Sequence, residues 1–346
     1  ILTPLLVVME VFMEVLIPLL MANIIDIGIM NGDMGYIVKT GLLLSLLAMV
    51  ALVFGAKAGN LGAIASAGYA KNLRHDIFYK IQDFSFGNID HFSTSGLVTR
   101  LTTDITNVQM AYMFTIRLLV RAPIMIVLSL IMTLTINVKV AVMMLITIPI
   151  LGGTLIFIAK KAHPHFIKVF DEYDILNNTV QENVNAARVV KAYVRADHEN
   201  EKFGKISTIV YNLFTKAEKI VAWNNPVMMF TMYVVVLVMV YIGGEDIVFG
   251  RMQTGELTSV IVYAIQILMS LMMVSFVFVM IMIAEASSDR IKEVLDEVPE
   301  MEDRADALTE VPSGDIDFEN VSFSYAGEGG NLSLKDVDLH IKSGQI

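Results

Sequence analysis

Ile261–Ala284, IVYAIQILMSLMMVSFVFVMIMIA, decides the fold. A helix on the surface of a soluble bundle carries a polar stripe every 3.6 residues, whereas this stretch, like Val234–Tyr241, is apolar on all sides. A membrane-spanning helix needs about 20 predominantly apolar residues. Working outward, six segments meet that length, at about 5–28, 38–60, 117–136, 138–159, 220–242 and 257–283. Composition agrees, with 55% hydrophobic residues and 17% charged ones over 346 positions, against roughly 25% charged in a soluble domain. Nearly all of the apolar excess lies before about Ser287.

The net charge of −10 comes from one place, since Glu285 to Glu328 holds fourteen Asp and Glu against Arg290, Lys292 and Arg304. That balance excludes nucleic acid as a partner, which needs a basic footprint. With no cysteine, disulfide frameworks, thiolate metal sites and cysteine nucleophiles are excluded. His163 and His165 have no third ligand, so no metal site is expected. No Ser, His and acid trio shares one depth. The apolar run Leu5–Leu20 lacks a basic flank and a cleavage site, so it is not read as a signal peptide. Beginning at Ile1 and stopping at Gln345-Ile346, the chain is expected to be a fragment at both ends.

Lys and Arg placement sets orientation. The connection 61–116 carries Lys71, Arg74, Lys80 and Arg100. The connection 160–219 carries ten basic residues, from Lys160 and Lys161 to Lys216 and Lys219. These two connections are assigned to the cytoplasm, because the opposite loops offer only Lys139 and Arg251. Both are long yet rich in helix formers, which predicts helical stalks extending roughly 30 to 38 Å beyond the bilayer. Each pair of stalks is expected to reverse at a polar knuckle, Ser85–Ser95 in the first and Ala196–Gly204 in the second.

From Asp315 the apolar period becomes two, through Ile316, Phe318, Val321 and Phe323, then Leu334, Val337, Leu339 and Ile341. Residues 1–300 are therefore expected to form a transmembrane domain, 301–314 a linker, and 315–346 the start of a β-rich domain.

Several stretches together resemble ATP-binding-cassette exporters, in the form where six spans precede a nucleotide-binding domain. Phe84–Val108, FSFGNIDHFSTSGLVTRLTTDITNV, is similar to that family's first intracellular loop, and Gln181–Phe203, QENVNAARVVKAYVRADHENEKF, to its second. Asp289-Arg290-Ile291 with Val294-Leu295-Asp296 resembles the exit of the sixth span, and Phe318–Tyr325 the opening of the nucleotide domain. Arg117–Pro123 with Asn137-Val138-Lys139 looks most like one half of a bacterial heterodimeric multidrug exporter. The resemblance implies an all-α membrane protein of type I exporter fold, followed by the first strands of an α/β ATP-binding domain. It also implies that Tyr325 stacks on adenine. The phosphate loop and catalytic residues fall beyond Ile346, so this stretch alone is not expected to hydrolyse ATP.

Ionisable groups inside a span are functional-site candidates. Counting from the outer loops, Glu14 and Arg121 fall near the midplane, and Glu10, Lys57 and Arg117 near the inner boundary. Glu10 and Glu14 are i and i+4, as are Arg117 and Arg121, so opposite signs share a layer. Met269, Met272, Met273 and Phe276 share a face suited to apolar cargo of many shapes, with Phe114 and Trp223 set aside as interface-level. These nine charged and apolar residues are the substrate-cavity candidates. For coupling to nucleotide domains the resemblance points to Phe86, Asp90, His91 and Phe92, and to Arg195, Asp197, His198 and Phe203, with Tyr193 beside them.

The expected function is half of an ATP-driven exporter that moves amphipathic or hydrophobic substrates, drugs or lipids, out of the cytoplasm by alternating access. The expected partners are a second exporter half, forming a hetero- or homodimer, the bilayer, and ATP with magnesium. The expected place is the cytoplasmic membrane of a bacterium, with the N-terminus and nucleotide domain inside. The alternatives are a secondary transporter or channel without ATP use, and a regulatory or structural membrane protein built on the same scaffold.

Overall fold

The computed structural model describes residues 2–299, 310, 313–324 and 332–344, with the side chains of 170, 171 and 174 excepted. Six helical stretches are long and apolar enough to cross a membrane: Leu2–Ile29, Met34–Gln82, Thr94–Ile136, Val138–Val169, Ala196–Val248 and Thr254–Asp296. A two-stranded antiparallel sheet follows them. The chain divides into two compact bodies.

The first body comprises Ile1–Ser66 and Ala111–Met282. Helix α1 (Leu2–Asn23) buries Val7, Val11, Val15, Pro18 and Ala22, a stripe at spacings of three and four, and leaves Leu5, Met9 and Phe12 exposed on its other sides. Helix α2 (Met34–Gln82) does the same outwardly, exposing Leu42, Leu46, Met49 and Val53. An apolar outer face at that length has lipid as its solvent. Helices α6 (Val120–Ile136) and α7 (Val138–Asn185) join at Asn137, whose side chain accepts from the Lys139 and Val140 amides and so caps α7. Helices α9 (Ala196–Val221), α10 (Asn224–Val248) and α11 (Thr254–Asp296) complete the set. One core gathers Val7, Val11, Val15, Ala58, Met125 and Tyr263; a second gathers Val140, Met144, Val235, Met239, Val260 and Ile267.

The second body comprises Ala67–Met110 and Ile283–Ile346. Its core is Ala70 and Ile77 of α2, Phe84, Phe92 of α3 (Phe86–Phe92), Leu97 of α4 (Thr94–Thr99), Ile105 of α5 (Ile105–Phe114), and Ile291 and Val294 of α11. Ser85 and Asn88 form a reciprocal capping box at the start of α3. Ser93, at φ 56°, turns the chain into α4. The first knuckle therefore lies where the sequence places it.

The second knuckle does not. The sequence places it at Ala196–Gly204, but the chain reverses earlier, through α8 (Ala187–Ala192) and Val194 at φ 53°. Ala196–Gly204 forms the opening turns of α9, whose first turn carries Asp197 and Glu199. Acidic side chains there complement the helix dipole, so this polar composition marks a helix start rather than a loop.

Strands β1 (Ile316–Phe323) and β2 (Leu334–Ile341) pair Ile316 with Ile341, Phe318 with Leu339, Val321 with Val337 and Phe323 with Leu334. The three-residue step from Phe318 to Val321 breaks strict alternation. A register shift there, with Asn320 at φ 47°, absorbs the extra residue and keeps apolar side chains opposite one another.

Candidate functional site

Arg121 of α6 reaches α1 and binds both of its acidic residues. One guanidinium nitrogen lies 2.6 Å from Glu10 Oε1, and the other lies 2.5 and 2.7 Å from the two oxygens of Glu14. The three side chains are 15–28% exposed. The i, i+4 spacing of the carboxylates is what lets one planar guanidinium span both. Two carboxyl groups thus share one guanidinium. Of the five charged groups placed by depth, these three are bonded to one another.

Arg117 does not join it. A π-helical turn, Thr115–Leu119, inserts an extra residue between the helical repeats of α5 and α6, so Arg117 and Arg121 no longer share a face. The Arg117 side chain lies instead against the face of α2, where an added Cβ at Gly59 would meet its guanidinium at 3.7 Å and one at Gly62 would meet its Cδ at 3.2 Å. On the same face, a Cβ at Gly55 would strike Glu10 Oε1 at 2.7 Å. These glycines are the room that charged side chains occupy. Lys57 is exposed and forms no ion pair among the described residues.

Met269, Met272 and Phe276 lie exposed along α11, with Met273 half-buried. Phe114, set aside in the sequence as interface-level, packs edge-on against Phe276 at 5.3 Å between centroids. Together they present an apolar, polarizable face within the first body.

In the second body Phe86 is 85% exposed, and Asp90 and His91 are exposed beside it. Phe92 is placed differently, buried in the core, stacked on Phe84 at 5.7 Å and covered by Arg100 at 5.0 Å. It shapes the knuckle from within. Behind it, the Arg290 guanidinium holds the fully buried Asp104 carboxylate through two nitrogens. Arg100 donates to Glu293 at 2.5 Å. Burial alone would raise the Asp104 carboxyl, but its bonds to Arg290 and Ser287 outweigh that and hold it below the usual carboxylate range. At the second reversal Tyr193, Arg195, Asp197, His198 and Phe203 are all exposed. Tyr325 lies outside the described residues.

Two features escaped the sequence. The first is lacing of α1, and of the π-helical turn Ile24–Ile29 that follows it, to α11: Asp26 of that turn accepts from the Gly255 and Glu256 amides at 2.6 and 3.1 Å, Ser259 Oγ donates to the Pro18 carbonyl at 2.5 Å, and the Tyr263 hydroxyl donates to the Val15 carbonyl at 2.8 Å. The second is a hub at Asp246, which is 2% exposed. It accepts from Asn137 at 2.8 Å and Lys139 at 2.9 Å, with Arg251 at 3.5 Å. An acid in the same loop as Arg251 was the available signal.

The family model described as the ABC transporter transmembrane region matches residues 1–283. Among curated relatives, the uncharacterized ABC transporter ATP-binding protein YfiB of Bacillus subtilis is 34% identical over 96% of this chain and 58% of its own length. An uncharacterized ABC transporter ATP-binding protein of Mycobacterium tuberculosis is 28% identical over 95% of this chain and 56% of its own. An ATP-dependent lipid A-core flippase of Desulfotalea psychrophila is 24% identical over 80% of this chain and 48% of its own. The chain therefore spans about half the length of the curated relatives it matches. The match across the six spans and the paired helices beyond them places the chain in one family: it belongs to the ABC transporter transmembrane region family.

Proposed function

We propose that the chain is the membrane-spanning half of an ATP-driven exporter, with residues 1–300 the transmembrane domain, 301–314 a linker and 315–346 the start of a nucleotide-binding domain. The observation that carries this is helix continuity. Helix α2 runs unbroken for 49 residues and α11 for 43, each about twice what a bilayer needs; their far ends share one core, and the Arg290–Asp104 pair ties α11 to the turn before α5. Long helices tied together outside the membrane suit transmission of a displacement into the spans. A channel has no use for such extensions.

In this proposal ATP with magnesium binds residues beyond Ile346, aided by Tyr325 against adenine, and draws two nucleotide domains together. Phe86, Asp90 and His91 of the first knuckle, and Tyr193, Arg195, Asp197, His198 and Phe203 of the second, meet those domains. Substrate favours inward access and ATP favours outward access, so each ligand biases a different state. A second exporter half completes the cavity, which Glu10, Glu14, Arg121, Arg117, Lys57 and the Met269–Phe276 face line. The cargo is an amphipathic or hydrophobic molecule, a drug or a lipid. The flippase name among the relatives keeps lipid in view. The site of action is the bacterial cytoplasmic membrane.

The test is uptake of a fluorescent amphiphile into inside-out vesicles bearing the full-length protein and its partner half. Uptake that needs hydrolysable ATP is expected; uptake that persists without nucleotide and follows a proton gradient overturns the proposal.

A further inference from the structure

We propose that the groove between α7 and the α9–α10 junction is a binding site for one anionic phospholipid. Phe157, Ile158 and Lys161 of α7, with Lys219, Ile220 and Trp223 opposite, enclose a cleft of about 470 Å³. That volume suits a headgroup and the upper part of an acyl chain. Four of the six lining side chains are apolar or aromatic and two are cationic.

Depth supports a lipid. From the outer start of α7 at Val138 down to Lys161 the helical rise is about 35 Å, and from the end of α10 at Val248 down to Trp223 it is about 37 Å. The hydrocarbon core is about 30 Å thick and a headgroup layer adds several more ångströms, so two separate helices deliver Lys161 and Trp223 to the same headgroup level. Trp223 is the chain's single tryptophan, it is 66% exposed, and tryptophan favours that interface.

Charge selects the headgroup. Lys161 lies 5.9 Å from the centroid of the Phe157 ring. Neither Lys161 nor Lys219 forms an ion pair among the described residues. Two uncompensated ammonium groups at the mouth of an apolar cleft favour a phosphodiester with no cation of its own. A choline or ethanolamine headgroup would return a positive charge to the cleft. Basic pockets between spanning helices on the cytoplasmic side recognise lipids in this way. The phosphate sits between the two ammonium groups, and an acyl chain follows Phe157, Ile158 and Ile220 toward the bilayer centre. The site needs only the membrane topology, so it stands whether or not the transport cycle uses ATP as proposed.

Native mass spectrometry of the full-length protein with its partner half, in micelles holding equal phosphatidylglycerol and phosphatidylcholine, tests it. Preferential retention of phosphatidylglycerol is expected, weakened on the order of tenfold in the Lys161→Gln/Lys219→Gln variant with phosphatidylcholine unchanged. Lys160→Gln, which removes a neighbouring charge outside the cleft, and Lys161→Arg/Lys219→Arg are expected to retain the preference. If the double Gln variant does not assemble, each single Gln variant must lose retention several-fold. Equal retention of the two lipids by the wild type, or undiminished phosphatidylglycerol binding in the Gln variants, overturns the proposal. Displacement by millimolar glycerol phosphate overturns it too, since that would assign the cleft to a free phosphate.

Discussion

The Tyr263 hydroxyl donates to the Val15 carbonyl, 2.8 Å away, in the interior of the membrane bundle. Tyr263 is fully buried and is the largest such side chain among the described residues. The Leu19 amide reaches the Tyr263 hydroxyl oxygen, so the hydroxyl sits between that amide and the Val15 carbonyl, inside the i to i−4 ladder of α1. One turn away Pro18 lacks the amide that the Glu14 carbonyl would meet. Helix α1 is thus weakened at Pro18 and keyed by α11 beside Val15, directly above the carboxylate that Arg121 holds.

Tyr263→Phe keeps the ring and removes the key. A hydrogen bond between spanning helices contributes about 0.6 to 2 kcal/mol, so the variant is expected to melt only a few degrees lower. Its transport defect is expected to exceed that loss, because the orientation of Glu14 depends on the α1 backbone at this point. A fluorescence melt beside a transport assay checks the pair of outcomes, and unchanged transport with a lowered melting point would leave Tyr263 a packing residue.

The Arg121 cluster predicts an asymmetry. Arg121→Gln strands two part-buried carboxyl groups without their shared partner, so it is expected to be the more destabilising change. Glu14→Gln leaves Arg121 bonded to Glu10, so it is expected to cost much less. A melting comparison in which Glu14→Gln is the more damaging change would contradict the bonding observed. Transport of a cationic amphiphile is expected to fall in Glu14→Gln even where the fold survives.

Asp104 gives a pH dependence. Its carboxyl in the folded chain lies below the ordinary value of 3.8, so the folded state binds that proton less readily than the unfolded one. The stabilisation is therefore complete above about pH 4 to 5 and is lost as pH falls through the lowered folded value. Protection of the amides around Ile105–Met110, relative to the intrinsic exchange rate at each pH, is expected to fall below about pH 4 in the wild type. Asp104→Asn is expected to show lower protection already at neutral pH, with little further loss of protection on acidification.

The six spans were legible because lipid demands uninterrupted apolar length, a signal that no tertiary contact alters. The nearness of Glu14 and Arg121 was legible too, since both count to one depth with opposite charge; Glu10, counted to the inner boundary, joins them because it is one turn from Glu14 on the same face. Arg117 was not, because a π-turn rotates it away and its five residues, TIRLL, carry no mark of that turn. The second knuckle was misplaced because polar residues open a helix as readily as they fill a loop. Phe92 looked like a contact residue, yet its neighbours Phe84 and Arg100 come from either side in sequence and enclose it.

Asp246 carries the sharpest stability prediction. Its side chain is 2% exposed, while the two cations beside it, Lys139 and Arg251, are 55% and 56% exposed. Removing one exposed cation leaves the carboxylate bonded to Asn137 and to the other, so Lys139→Ala is expected to cost under about 1 kcal/mol, the scale of exposed pairs. Asp246→Ala instead leaves Asn137 without its acceptor and unties the α6–α7 corner from the loop before α11, so it is expected to cost clearly more than Lys139→Ala. Asp246→Asn preserves the shape but turns an acceptor toward two cations into a partial donor, so it falls between them. Melting the three variants side by side orders them, and a Lys139→Ala loss equal to that of Asp246→Ala would show that the ion pair, rather than the buried acceptor, holds this corner.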